Sequence, residues 1–319
     1  MTPLRDLTYY QTGGRCTKLE APTTISELQD VMKNLWEQKT PYFFLGAGSN
    51  SLVMDEFYDG TVVSFHRLNQ LNISGNEVYA EAGVINSDLV KACADHSLQG
   101  ASWMYRLPGQ LGATTRMNAR CYGGEISEIV KKVLSVTPDG KLMERDNQGL
   151  FHGYKDTCFM TNGEAIAAVI IELSPGDQDQ IRQKMTHCET DRTKKNQFLH
   201  PSCGCVFKNH HDVGVPSGML LEAAGAKKLS TPQVEINPHH ANFVFNKGAT
   251  SRSILETTLQ MRQLVYDAYG VFMEYEMEIL GNPPDDLKEA LSEMKGHNLH
   301  LEKLQPLQEQ FQKRVAPKG

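Results

Sequence analysis

Two glycine-rich segments constrain the fold of this chain more than any other feature of its sequence. The first, residues 46–51, reads Gly-Ala-Gly-Ser-Asn-Ser and follows the short apolar run Tyr42–Leu45, which predicts a buried strand entering a tight turn. The second, residues 106–118, contains the small residues Gly109, Gly112 and Ala113 and has little apolar content of its own. Glycine permits positive φ and close backbone approach, so that exposed N–H groups can cradle a phosphate. The first segment is neither a G-x-G-x-x-G fingerprint nor a P-loop, and a plain turn is the alternative. Two such segments together favour a long ligand that carries a diphosphate.

Composition bounds the class of protein. The 319 residues, of which 40% are hydrophobic and 22% charged, suit two or three domains with sizeable cores. The formal net charge of -6 argues against non-specific nucleic-acid binding, which requires a basic surface. No apolar run is long enough to span a bilayer, the N-terminus lacks a signal-peptide layout, and the 7 cysteines show no disulfide framework. We therefore expect a cytoplasmic protein with reduced thiols, no nucleic-acid partner and no membrane insertion.

Local patterns predict a chain of mixed helix and strand. The expected helices are one from a capping box at Thr24–Glu27 to about Glu37, one capped by Asn86, a charged linking helix at Asp177–Lys195, a short helix at Gly218–Gly225 and an amphipathic helix through Ile254 and Ala268. The expected strands are a hairpin at Val133–Arg145 around residues 138–140, a strand at Ala165–Leu173 and a strictly alternating strand at Val271–Leu280. Beyond Gly281, Pro283-Pro284 opens a charged tail that is predicted to be helical and either to pack loosely or to contact a partner.

The segment Pro201–Asn209 places a thiol where chemistry is expected. A cysteine in such a place is a buried small hydrophobe, a metal ligand or a proton-active group. The metal interpretation of Cys203-x-Cys205 is weak, because no second pair stands at zinc-site spacing. We therefore predict no metal site.

Several blocks of the sequence resemble one bacterial enzyme family. Pro108-Gly109-x-x-Gly112-Ala113, followed by Met117-Asn118 and Tyr122-Gly123-Gly124-Glu125, is similar to the flavin-binding core of the UDP-N-acetylenolpyruvoylglucosamine reductase family. The other similar blocks, in the family's order, are Thr12-Gly13-Gly14, Gly46 to Asn50, Tyr154 to Phe159, Pro201 to Asn209, His240-Ala241-Asn242-Phe243 and Glu274-x-Glu276. The resemblance covers nearly all of residues 8–281 and looks like the shorter, type II form, but it does not explain the tail.

The resemblance implies both an architecture and a reaction. It implies an α+β protein with a FAD-binding region of two α/β subdomains (a PCMH-type flavin fold) at 1–180 that divide near residue 70, a linker at 181–200, an α+β substrate-binding domain at 201–281 and a helical tail at 282–319. The implied cofactors are FAD and, as hydride donor, NADPH. The implied reaction reduces UDP-N-acetylglucosamine enolpyruvate to UDP-N-acetylmuramate for peptidoglycan, and so for cell wall biogenesis, cell shape and cell division.

The motifs also imply roles for individual residues. Cys205 takes the position of the family's proton-donating serine, Glu276 that of its glutamate and Lys155 that of its arginine. A thiol, with an ordinary pKa of ~8.5, is a stronger acid than an alcohol. The alternatives are an inert buried thiol for Cys205 and a solvated strand face for Glu276. The implied flavin contacts are Gly46, Ala47, Gly48, Ser49, Asn50, Ser51, Pro108, Gly109, Gly112, Ala113, Thr114, Asn118 and Gly124. The implied substrate contacts are Tyr154, Lys208, Asn209 and His240.

The chain departs from the family pattern in ways that leave other functions open. Lysine at position 155 offers a point charge in place of a planar guanidinium fork. Arg120 and Cys121 replace a small Gly-Ala pair and place bulk near the expected flavin. The alternatives are a related FAD-linked oxidoreductase with another substrate and a homologue that binds flavin or nucleotide sugar without turnover. Arg192, with Lys194-Lys195, is either a basic approach for an anionic substrate or the solvated face of a linker.

Overall fold

The computed structural model describes residues 3–315 of the chain. The α-helices within them are α1 (Ile25–Gln38), α2 (Asn86–Asp95), α3 (Leu111–Arg116), α4 (Gln178–Lys194), α5 (Ser217–Ala224), α6 (Ser251–Tyr269), α7 (Asp285–Ser292) and α8 (Leu301–Val315). The strands are β1 (Cys16–Glu20), β2 (Tyr42–Leu45), β3 (Ser51–Val53), β4 (Tyr58–Ser64), β5 (Leu71–Ser74), β6 (Glu77–Glu81), β7 (Leu98–Gln99), β8 (Arg120–Cys121), β9 (Gly124–Glu125), β10 (Val130–Val136), β11 (Leu142–Asp146), β12 (Phe151–Gly153), β13 (Asp156–Thr157), β14 (Ala165–Glu172), β15 (Ser174–Pro175), β16 (Val234–Ile236), β17 (Val244–Asn246) and β18 (Glu278–Leu280).

The chain divides into two compact units, and each is discontinuous in sequence. Unit 1 comprises Cys16–Ala47 and Tyr58–Lys194, and unit 2 comprises Pro3–Arg15, Gly48–Phe57 and residues 195–315. This division differs from the contiguous domains that the sequence suggests. Residues 181–194 are not a linker but the body of α4, because Ile181 and Met185 are buried in the core of unit 1.

Unit 1 contains two main sheets. Strands β1, β4 and β2 form a parallel sheet, and strands β11, β10, β14, β6 and β5 form an antiparallel sheet in that order. Helix α1 begins as predicted, since Thr24 Oγ1 accepts the N–H of Glu27 at 3.1 Å, and it buries Leu28 and Met32. The predicted hairpin is confirmed as β10 and β11, and Gly140 closes its turn with φ of 83°.

Unit 2 joins the N-terminal segments to the C-terminal region. Strand β3 pairs in parallel with β18, with Leu52 opposite Ile279. Asn246 Nδ2 donates to the carbonyl oxygen of Tyr10 at 2.9 Å. Helix α5 ends at Gly225 with φ of 81°, as the sequence predicts.

The predicted strand Val271–Leu280 is wrong over most of its length. Only β18 is a strand, and Tyr275 forms a single bridge with Phe207. Phe272 and Met273 are both buried, so the alternation of faces breaks down. The segment lacks a continuous ladder partner, because most of its backbone bonds go to isolated acceptors in neighbouring loops.

The tail is helical, as predicted, and it packs onto unit 2. Leu304 of α8 is 1% exposed, and Gln308 Nε2 donates to the carbonyl oxygen of Val213 at 2.8 Å. The N–H of Asn298 donates to the carbonyl oxygen of Gly270 at 2.7 Å. Residues 316–319 of the predicted tail and residues 1–2 of the predicted flavin region lie outside the described residues. Across residues 3–315 no helix combines the length and the apolar character needed to cross a membrane.

Candidate active site

The first residue of one glycine-rich segment, Gly46, approaches the other segment within unit 1. A Cβ atom at Gly46 would lie 3.3 Å from Gln110 Oε1 and 3.4 Å from the Cβ atom of Ala113. Gly46 follows β2 directly, and Ala113 is exposed on the first turn of α3. The absence of a side chain at Gly46 therefore permits the close approach of these residues.

The start of α3 is held by interior contacts. The N–H of Gly112 donates to the carbonyl oxygen of Ala82 at 2.9 Å, and a Cβ at Gly112 would lie 2.6 Å from that of Ala82. The hydroxyl of Thr114 bonds the side chain of Asn86, which is fully buried and also donates to the carbonyl oxygen of Leu107. Gly112 and Thr114 thus act by positioning the helix. The sequence predicts Asn86 as the cap of α2, which is wrong, because Ile85 is the N-cap residue and no side chain caps the helix. No signal in the sequence points to the role of Asn86 beside the site.

Three polar atoms around α3 are buried without a hydrogen-bond partner among residues 3–315. They are Gln110 Oε1, Thr115 Oγ1 and Asn118 Oδ1. A buried polar atom without a partner costs about 1–3 kcal/mol, so such atoms commonly bind a ligand or a water. Gln110 and Thr115 are absent from the residues that the motifs imply, although both lie inside the second glycine-rich segment.

A short hairpin formed by β8 and β9 follows Asn118. Asn118 Nδ2 donates to Glu125 Oε1 at 2.6 Å and to the carbonyl oxygen of Gly153 at 2.8 Å, which ties the hairpin to the block around Tyr154. A Cβ at Gly124 would lie 2.2 Å from the ring of Trp103. Gly124 is therefore required for packing against the tryptophan.

Left-handed backbone conformations concentrate in these segments. Four residues other than glycine have positive φ here: Arg106 (61°), Asn118 (41°), Tyr122 (50°) and Lys155 (55°). Such conformations are uncommon outside glycine and cluster at functional sites. This clustering supports a ligand site in unit 1 independently of the motifs.

Cys121, which the sequence places as bulk near the flavin, is turned into the protein. Its Sγ lies 3.4 Å from the carbonyl oxygen of Trp103 and 3.3 Å from Nη2 of Arg192. Arg192 is 6% exposed, and its guanidinium lies 5.0 Å from the ring centre of Tyr122. Arg192 is therefore neither a solvated linker face nor an accessible cation for substrate.

In unit 2, the segments that carry Cys205 and Glu276 meet around Val206. The carbonyl oxygen of Val206 accepts the N–H groups of Glu276 at 2.8 Å and Met277 at 3.1 Å. Cys205 forms an antiparallel bridge with Phe243 and is half-buried. These contacts place the backbone segments of the two predicted catalytic residues next to each other.

The first glycine-rich segment also supports Glu276. Asn50 Nδ2 donates to the carbonyl oxygen of Glu276, and the N–H of Glu278 donates to that of Asn50, both at 2.9 Å. A Cβ at Gly48 would lie 2.7 Å from the Cβ of Thr8, so the turn requires glycine. Asn50 and Gly48 thus have structural roles beside the ligand contact that the motifs imply.

The neighbouring thiol Cys203 differs from Cys205. Burial raises the pKa of the Cys203 thiol well above its ordinary value, and the nearby Cys205 and Glu276 raise it further. Cys203 is 1% exposed. A thiol in that place remains protonated and packs as a small apolar group.

The predicted substrate residues of unit 2 lie close to α5. His240 Cε1 is 3.3 Å from a Cβ built at Gly218, and its buried Nδ1 has no hydrogen-bond partner in the described chain. Burial lowers the pKa of His240, with Lys195 adding to the shift. Asn209 Oδ1 accepts the N–H of Ser217 at 2.9 Å.

Lys208 carries the remaining predicted substrate contact. Its Nζ lies 3.5 Å from Glu274 Oε2, and its N–H donates to the carbonyl oxygen of Glu274. The lysine is thus paired through both backbone and side chain.

A cluster of His210, Asp212 and His297 lies elsewhere in unit 2. The N–H groups of Glu274 and Phe272 donate to His210 Nε2 and His297 Nδ1 at 3.2 and 3.1 Å. Each neutral ring must therefore carry its proton on the other nitrogen. A histidine that binds metal normally donates its second nitrogen instead, so this arrangement does not fit a metal ion.

Comparisons with known proteins define the class. The family model described as FAD binding domain matches residues 18–145, and that of the C-terminal domain of UDP-N-acetylenolpyruvoylglucosamine reductase matches residues 194–280. The fold and these matches define a flavoprotein oxidoreductase. UDP-N-acetylenolpyruvoylglucosamine reductase of Borrelia garinii is 33% identical over 280 residues, covering 87% of this chain and 92% of the relative. The enzyme of Streptococcus suis is 32% identical, covering 89% and 94%. This chain belongs to the UDP-N-acetylenolpyruvoylglucosamine reductase family.

A solved structure leads to the same family. UDP-N-acetylenolpyruvylglucosamine reductase of Thermus caldophilus is 26% identical, with a TM-score of 0.73, covering 87% of this chain and 97% of the other. Together the comparisons confirm the family resemblance, the α+β fold class and FAD as the cofactor.

Proposed function

We propose that this chain uses NADPH to reduce UDP-N-acetylglucosamine enolpyruvate to UDP-N-acetylmuramate, in the bacterial cytoplasm, for peptidoglycan synthesis. The observation that carries the proposal is its 33% identity to a reductase of that name over 92% of the relative's length. The FAD-binding and C-terminal domain matches support both halves of the reaction, cofactor binding and substrate binding.

The residues of unit 1 fit a flavin. The side-chain amide oxygens of Gln110 and Asn118 are buried acceptors without partners in the described chain, and FAD offers N–H and hydroxyl donors. Gly46, where an added Cβ would lie 3.3 Å from Gln110 Oε1, permits the close approach of the two segments beside these acceptors. FAD held by these residues would supply the hydride chemistry of the reduction.

We assign the proton that completes the reduction to the Cys205 thiol. An ordinary thiol, with pKa ~8.5, is mostly protonated at neutral pH yet acidic enough to give up its proton. Cys205 is half-buried, whereas Cys203 is enclosed. Glu276, whose N–H bonds the carbonyl oxygen of Val206 next to Cys205, assists by stabilising charge that develops beside the substrate carboxylate, and we assign Lys155 the role of the family's arginine.

The test of the proposed function is NADPH oxidation by the FAD-loaded protein. We expect oxidation to depend on added UDP-N-acetylglucosamine enolpyruvate. Flavin reduction without that dependence would favour an oxidoreductase with another substrate. Absence of flavin reduction would favour a binding protein without turnover.

The test of Cys205 separates the two half-reactions. Cys205→Ala should leave flavin reduction by NADPH unchanged and slow flavin oxidation by the substrate by about a hundredfold or more. Cys205→Ser should retain much of the rate, because it keeps an O–H donor. Cys158→Ala, which removes a half-buried thiol of unit 1, is the control. A full rate in Cys205→Ala would show that another group supplies the proton.

A further inference from the structure

Arg120 stands where the family pattern has a small residue, and its side chain has a defined place in unit 1. Its guanidinium carbon lies 4.8 Å from the ring centre of Tyr154. Successive side chains of a strand point to opposite sides, and the next residue, Cys121, points inward to Trp103. Arg120 therefore projects away from the core and toward the block that contains Tyr154 and Lys155.

The backbone around Arg120 is held firmly. Arg120 pairs with Glu125 across β8 and β9, and Asn118 Nδ2 bonds both Glu125 and the carbonyl oxygen of Gly153. The hydroxyl of Thr157 donates to the carbonyl oxygen of Arg116 at 2.6 Å. These bonds fix the hairpin against the block at 153–157, so the stacking of Arg120 on Tyr154 is set by the fold.

The contact between Arg120 and Glu125 is too long for a close ion pair, which would use the N–H donors of the guanidinium. Its Nη1 lies 3.9 Å from Glu125 Oε2, while the other oxygen of Glu125 accepts from Asn118 and from Ser127 Oγ. By contrast, Arg145 is bound to Glu164 through both Nε and Nη2. The Arg120 side chain is 43% exposed. A guanidinium presents its N–H donors in one plane, in the fork geometry that a carboxylate requires.

Lys155 adds a second positive charge to the same region. It follows Tyr154 directly, and its charge acts on the Cys121 thiol beside Arg120. Burial raises the pKa of that thiol, while Arg192 and Lys155 oppose the rise. Two cations of different geometry, a planar fork and a point charge, thus lie in the region of Cys121 and Tyr154.

We propose that Arg120 binds the carboxylate of the enolpyruvyl substrate, with Lys155 as a second cation. The inference rests on the proposed function for the identity of the ligand. In this chain Arg120, on the hairpin of β8 and β9, supplies the planar guanidinium. Lys155, in the block at 153–157, supplies a positive charge without that geometry. Arg120 is thereby a specificity-determining residue for a carboxylate-bearing nucleotide sugar.

The test compares two ligands on the FAD-loaded protein by calorimetric titration. The first is UDP-N-acetylglucosamine enolpyruvate, and the second is UDP-N-acetylglucosamine, which lacks the carboxylate. Arg120→Ala should raise the Kd of the first by at least about tenfold and change that of the second by less than about twofold. KM for the first ligand should rise in parallel, while flavin content and flavin reduction by NADPH stay at the wild-type level.

Two further variants serve as a rescue and as a control. Adding Lys155→Arg to Arg120→Ala should recover most of the lost affinity, because it restores a guanidinium beside Tyr154. Arg182→Ala, which removes an exposed arginine paired with Asp95 in the same unit, should bind both ligands like the wild type. Far-UV circular dichroism of each variant establishes that it is folded.

Equal losses for the two ligands would overturn the inference, since they indicate a structural role. An unchanged Kd for the carboxylate ligand would overturn it as well. If the wild type itself neither turns over the enolpyruvyl ligand nor binds it in preference to the other, the proposed function fails instead. If the wild type does both and Arg120→Ala keeps the preference, only the role of Arg120 fails.

Discussion

At the scale of single residues, the packing of Gly112 positions the residues that we assign to the flavin site. Its N–H bonds the carbonyl oxygen of Ala82, and its missing side chain lets α3 approach that residue. The next residues of the helix present the exposed Ala113 and the buried Thr115. Any displacement of α3 therefore moves the groups that we assign to the flavin site.

Gly112→Ala should destabilise the protein and weaken flavin retention. The added methyl would lie 2.6 Å from the Cβ of Ala82, and such overpacking typically costs about 1–3 kcal/mol. Urea unfolding and flavin content after gel filtration measure the two effects. Gly296→Ala is the control, because no atom lies within 4 Å of the added methyl. Equal stability of the two variants would contradict the packing argument.

The sequence indicates residue types well and individual contacts poorly. Glycine at 112 is expected from the motif, but no pattern in the sequence identifies Ala82 as the neighbour that requires it. Asn86 looks like an ordinary helix cap, and its bonds to Thr114 and Leu107 join segments that only the folded chain brings together. Cys205 and Glu276 were predicted from motif positions, since periodicity alone favours a solvated strand face for the glutamate.

At the scale of elements, α8 is the part of the chain that the family resemblance leaves unexplained. It buries Leu304 in the core of unit 2, and its Gln308 donates a hydrogen bond to the carbonyl oxygen of Val213. The other face of the helix is exposed, including Leu301 at 67%. The helix is thus an integral layer of unit 2.

Leu304→Ala should reduce the free energy of unfolding by about 2–5 kcal/mol, because it leaves a cavity in the core of unit 2. Leu301→Ala is a matched control on the same helix and should change stability by less than about 0.5 kcal/mol. Chemical denaturation followed by circular dichroism measures both. Similar values for the two variants would mean that α8 does not contribute to the core.

Elements with local signals are predicted best. Thr24 caps α1 and Gly225 ends α5, because these signals lie within one turn of the helix they delimit. The alternating run from Val271 is predicted as a full strand, yet a strand also needs a neighbour. Only its last three residues have one, β3, which lies far away in the sequence.

At the scale of the whole molecule, two half-buried histidines, His210 and His240, make stability depend on pH. Burial lowers the pKa of His210, and His297 lowers it further. The other charged neighbours that act on His210 are Glu274, Asp212 and Lys208. Burial likewise lowers the pKa of His240. Both rings therefore resist protonation in the folded state.

The free energy of unfolding should fall as the pH drops below about 6.5, the ordinary histidine pKa. Below that pH the unfolded chain takes up protons that the folded chain resists, and the loss levels off once the pH passes the lowered folded pKa values. Urea unfolding at a series of pH values measures the slope. His210→Gln should reduce it and the exposed control His96→Gln should not. An undiminished slope in His210→Gln would assign the effect to other groups.

The division into two discontinuous units lies beyond sequence reasoning. The composition of residues 48–57 does not differ from that of their flanks in a way that assigns them to the C-terminal unit. Their place depends on Leu52 and Met54, which are buried in the core of unit 2. Contacts between distant segments decide such a division, and a single sequence carries little information on them.

The pairing of β3 with β18 has a consequence for biosynthesis. Asn50 precedes Glu276 by 226 residues. At about 5–20 residues per second, a ribosome takes roughly 10 to 45 seconds to make the intervening chain. Throughout that interval the nascent Leu52 and Met54 lack the partners that later enclose them. Unit 2 can close only after β18 has been synthesised, so the apolar side chains of Leu52 and Met54 stay exposed until then.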